Sequence, residues 1–134
     1  MADFSFMEPG ANDAGEVFLR NGYLNLAVEN KDALESIRAC AANSAAKTLG
    51  IDAPDDLGKF LNGFHELLPI EKLNSIRLDV IESLNTQPWI RAAYFSLARN
   101  AIFSIVGNEL AMQRRINLSI QLPDDHSSIL PVHA

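Results

Sequence analysis

Apolar residues recur at helical spacing through most of this chain and then, near its end, switch to strict alternation. Leu34, Ile37, Ala41, Ala45 and Leu49 fall on one face of a helix that Asn30 is suited to cap and Gly50 to end, while Lys31, Glu35 and Arg38 face water. A second stripe, Leu57, Phe60, Leu61, Phe64, Leu67 and Leu68, starts after Pro54-Asp55-Asp56 and runs to Pro69. Gly58 and Gly63 each cost that helix about 1 kcal/mol relative to alanine, so a bent or irregular segment is expected. Leu73, Ile76, Val80, Ile81 and Leu84 mark a third helix, closed by Asn85-Thr86-Gln87-Pro88. The run from about 88 to 106 is apolar almost all round and stops at Gly107, which predicts a long central packing helix.

Two stretches read as strands. Glu16-Val17-Phe18-Leu19-Arg20 suits a helical turn, Asn21-Gly22 a tight turn, and Tyr23-Leu24-Asn25-Leu26-Ala27-Val28 has the content of a short strand. After Gly107, Ile116, Leu118, Ile120 and Leu122 alternate with Asn117, Ser119 and Gln121, a period of two that puts the polar trio on the opposite face. Pro123 to Ser128 is a turn by composition, and Ile129-Leu130-Pro131-Val132 begins another extended segment. Residues 1–15, with Pro9, Gly10, Asn12, Asp13 and Gly15, read as a loose leading segment. The expected class is α+β, with helices to about 106 and β-strands from about 110 in one domain over 16–134. Three short strands leave sheet edges unpaired, so self-association or poor folding of the chain by itself is expected.

Composition narrows the function classes. At 134 residues, 48% apolar and 21% charged, the chain suits one domain or part of one. Its net charge of −6 repels phosphate backbones and anionic lipid, which argues against nucleic-acid and membrane partners. The single Cys40 has no intrachain partner, there is no secretory leader pattern, and Arg91, Arg99 and Asn100 interrupt the most apolar stretch; a cytoplasmic protein is expected. Asp124, Asp125 and His126 could form a metal cluster, but Pro-initiated turn chemistry accounts for them more simply. Arg114, Arg115, Arg91 and Arg99 suit either an anion site for a phosphorylated substrate or pairing with carboxylates such as Glu109. His65 is a surface or boundary residue of the second stripe.

The run Arg115-Ile116-Asn117-Leu118-Ser119-Ile120-Gln121-Leu122-Pro123-Asp124-Asp125-His126-Ser127-Ser128-Ile129-Leu130-Pro131-Val132-His133-Ala134 resembles the segment entering the iron site of Fe(II)/2-oxoglutarate-dependent oxygenases of the phytanoyl-CoA dioxygenase-like type, in particular the sporadic carbohydrate cluster group. Phe18-Leu19-Arg20-Asn21-Gly22-Tyr23-Leu24 resembles that family's opening strand. The likeness spans roughly residues 16–134, and the run from Arg115 carries its specificity.

The resemblance implies a helical N-terminal layer packed on the start of a double-stranded β-helix, a jelly-roll or cupin-like fold that is incomplete here. It matches His133 to the first iron ligand. In the family the next residue but one is the aspartate of a His-x-Asp pair, so the sequence is expected to be the N-terminal fragment of a non-haem oxygenase cut inside that motif. Fe(II) and 2-oxoglutarate are the implied cofactors, hydroxylation the implied reaction, and a small molecule, carbohydrate-related by the group's name, the implied substrate. With one ligand in place, the fragment alone is expected to be inactive. Asn117 and Gln121, with Ser119, hydrogen-bond the cosubstrate or substrate if their face looks into the barrel, and are solvated residues if it looks outward. The rival reading is an acidic helical binding domain without catalytic activity.

Overall fold

The computed structural model describes residues 11–107 and 110–120, and within them every regular element is a helix. The order is α1 (Ala11–Asn21), α2 (Lys31–Leu49), α3 (Leu57–Asn62), α4 (Phe64–Leu67), a 3-10 turn (Ile70–Lys72), α5 (Leu73–Asn85), α6 (Ile90–Ser96) and α7 (Arg99–Val106). The α+β expectation is therefore corrected. No strand exists among the described residues, and neither stretch that reads as one has a ladder partner there. Strand propensity measures fit to a pleated neighbour, and without that neighbour an isolated strand does not form.

Residue contacts divide the chain into two units, with boundaries at Leu34/Glu35, Ile90/Arg91 and Arg114/Arg115. In the unit of residues 35–90 and 115–120, α2 offers a face of small residues, with Ala42, Ala45 and Ala46 buried. Alanine leaves room for larger side chains, and Phe60, Phe64, Leu68, Ile76, Val80 and Leu84 fill it. Phe60 and Phe64 meet edge to face at 5.5 Å. Asp56 caps α3 by accepting from the Lys59 amide at 2.9 Å, and Gly63 separates α3 from α4, the interruption its position foretells. The cluster is organised on α5, whose Ile76 and Val80 are wholly enclosed.

In the other unit, α1 packs against α7 and begins at Ala11, not at Glu16. Gly22, at φ 76°, ends α1 with its amide bonded to the Phe18 carbonyl at 2.7 Å. Residues 23–28, read as a strand, are irregular, and Tyr23 and Leu26 are exposed.

The long helix expected over 88–106 is two helices, interrupted at Leu97 and Ala98. It is not the central packing element either: Trp89, Tyr94 and Val106 are exposed, and Ile90 and Ser104 alone are buried in α6 and α7. The break is stabilised from far along the chain. Glu29 donates its amide to the Leu97 carbonyl at 3.0 Å, and its carboxylate accepts from the amides of Asn100 (3.0 Å) and Ala101 (3.2 Å), the free donors that open α7. Asn30 caps α2 through the Ala33 amide at 3.0 Å and donates to the Ser96 hydroxyl at 3.1 Å. Gly107 at φ 72° stops α7 as the sequence indicates.

Two substitutions check this packing. Ile76→Ala is expected to lower stability by about 2–5 kcal/mol, whereas Leu78→Ala, at an exposed position of the same helix, changes it by less than about 1 kcal/mol in a denaturant titration. Glu29→Ala removes the α7 cap, and a loss of about 1 kcal/mol, roughly 3–4 °C in Tm, is expected; an unchanged melt contradicts the capping role.

Candidate functional site

The site is built where the alternating segment meets the helices of its unit. Residues 115–120 form no regular element, and burial alternates along them, with Ile116, Leu118 and Ile120 half-buried against the core and Asn117 and Ser119 exposed, the period of an extended chain. The alternation in the sequence is thus a true record of which side chains are covered. Among the described residues, what covers them is a helical surface and not a second strand.

Asn85, in the last turn of α5, supplies what a neighbouring strand would. Its Oδ1 accepts from the Ile116 amide at 2.8 Å, and its Nδ2 donates to the Ile116 carbonyl at 2.8 Å and to the Ile81 carbonyl at 2.6 Å. One side-chain amide therefore satisfies both backbone groups of Ile116 while anchored to its own helix. This sets the register of the segment, because a slip by one residue would turn Ile116, Leu118 and Ile120 to water.

Beside the segment opens a hollow of about 640 Å³. Ala41 and Ala45 of α2, Leu61 of α3, Phe64 of α4, Val80 of α5 and Leu118 and Ile120 of the segment make its walls apolar. Asn62, His65 and Ser119 bring polar atoms to it. An apolar hollow with a few polar groups is the usual form of a small-molecule site. His65 stands exposed with Nε2 at 3.8 Å from a Glu66 oxygen, as expected of a surface or boundary residue.

Of the residues singled out as cofactor contacts, Asn117 lies on the exposed side of the segment, on the same side as Ser119, while Gln121 falls outside the described residues. His133, the matched iron ligand, also lies outside them, as do Asp124, Asp125 and His126. Among the described residues no group of three His, Cys, Asp or Glu side chains can hold a metal ion. Asn85 and Asn62 are site residues that pattern reading passes over; Asn85 is visible only as a helix-ending polar residue, because its partner is 31 positions away.

Two of the arginines, Arg91 and Arg99, make contacts within the chain. Arg91 donates to the Met112 carbonyl at 2.9 Å, and the Arg99 guanidinium lies 5.5 Å from the centre of the Phe103 ring. Among the described residues, no helix is long and apolar enough to cross a membrane.

Asn85→Ala leaves both Ile116 backbone groups without their partner in a half-buried place, at an expected cost of about 2 kcal/mol, and amide exchange at Ile116 rises to that of an open segment. Asn85→Asp is expected to be no better, since a carboxylate would face two carbonyl oxygens; rescue of Ile116 protection by aspartate would contradict the geometry.

No family model matches the chain, nor does any curated protein or solved structure.

Proposed function

We propose that the chain forms the helical layer, and supplies the first iron ligand His133, of a non-haem Fe(II)/2-oxoglutarate-dependent oxygenase whose other ligands lie beyond Ala134. The observation that carries this reading is the run Arg115 to Ala134, which resembles the iron-site segment of that family throughout and opens with a stretch held extended by Asn85. In this role the helices do no chemistry. They hold the segment leading towards His133 in one register, as a rigid support must if ligands are to meet a metal in fixed geometry. Bound Fe(II) and 2-oxoglutarate would supply the oxidising chemistry, with a small molecule, carbohydrate-related by the group's association, as the proposed substrate.

A second reading is favoured by a different observation. The regular elements among the described residues are helices, and those of one unit line an open, largely apolar hollow of about 640 Å³, which suits a binding domain without catalytic activity.

The two readings part on one experiment. In the longer polypeptide that the oxygenase reading requires, succinate formation from 2-oxoglutarate with added Fe(II) is expected to vanish in His133→Ala. Unchanged turnover would remove His133 from the iron site. A stop codon directly after Ala134 in the gene would leave the binding-domain reading.

A further inference from the structure

A second hollow, on the groove between α2 and α5, has a mixed polar and apolar lining and shares no lining residue with the apolar cavity. It encloses about 860 Å³. Small side chains hold it open: Ser36, Cys40 and Ser44 on α2 and Ser83 on α5 recur at helical spacing where larger residues would close the seam. Several groups of the groove are already engaged. Thr48 donates to Asp79 Oδ2 at 3.0 Å, Ser44 to the Asp79 carbonyl at 3.4 Å, and Gln87 to the Ser83 carbonyl at 3.2 Å.

Against that fixed background, two charged groups are left over. Lys47 belongs to α2 and Glu82 to α5, both line the groove, and among the described residues neither charged group has a hydrogen-bond or ion-pair partner. Both residues are exposed, and they line one hollow from opposite walls with no ion pair between them. Trp89, 36% exposed, adds an indole to the same lining, and Asn43 adds an amide with no partner among the described residues. We infer that this groove binds a small zwitterion, with its anionic end on the Lys47 ammonium, its ammonium end on the Glu82 carboxylate and its carbon skeleton beside Trp89. A simple anion would meet Glu82 and Asp79 as well as Lys47, and a simple cation would meet Lys47; a ligand carrying both charges at a matched separation satisfies both walls.

The inference is independent of the oxygenase reading. Trp89 is the one tryptophan of the chain, so its emission reports on this groove alone. The 134-residue protein is titrated with glycine, β-alanine, 4-aminobutyrate and 6-aminohexanoate, with acetate, propylamine and myo-inositol as probes carrying one charge or none. A saturable change in emission is expected for one chain length of the series and for none of the other three. Lys47→Met and Glu82→Gln are each expected to weaken that binding about tenfold to a hundredfold, with the thermal melt unchanged. No saturable change with any zwitterion, equal binding by myo-inositol or by a singly charged probe, or full affinity in either variant would overturn the assignment.

Discussion

The contact on which the candidate site depends is the pairing of the Asn85 side-chain amide with the amide and carbonyl of Ile116. Extended backbone must place its hydrogen-bonding groups somewhere, and a helical surface presents none, because its own are consumed internally. Asn85 resolves the conflict at the end of α5, where it also bonds the Ile81 carbonyl. With Ile116 fixed, Leu118 and Ile120 close over the core, and Ser119 comes to the cavity beside Asn62 and His65. A single-residue slip would undo all of this at once, so the amide and the apolar alternation enforce one another.

Glu29 and Asn30 play a comparable part in the other unit. Adjacent in sequence, they serve three helix ends: the start of α2, the end of α6 and the start of α7. Ser104, the buried polar residue of α7, is satisfied within its own helix by donating to the Ala101 carbonyl at 2.8 Å. Phe95 and Phe103 meet edge to face at 5.7 Å across the interruption between α6 and α7, so the break is bridged by packing as well as by capping.

Much of the helical architecture is legible in the chain because its signals are local. The cap at Asn30, the stop at Gly50, the break at Gly63 and the buried face of α5 all follow from residues within a turn or two of where they act. What is not legible depends on residues far apart in the chain. The division of residues 88–106 depends on a carboxylate roughly 70 positions earlier in the chain, and nothing near Leu97 announces it. The alternation at Ile116 to Ile120 correctly marks a covered face, but period two says nothing of whether a strand or a helical surface does the covering. Asn117 falls on the polar side of that segment and is exposed there. His65, Asn62 and Ser119 converge through tertiary packing, which no spacing in the chain encodes.

The central claim is that residues 116–120 lie extended on a helical core in a register set by Asn85, and nuclear Overhauser contacts test it directly. Methyl groups of Ile116, Leu118 and Ile120 are expected to show contacts to the core side chains of their unit, which include Phe64, Val80 and Leu84, with no interstrand α-proton contacts along the segment. Interstrand contacts across residues 116–120, or methyls that meet only solvent, would contradict the account.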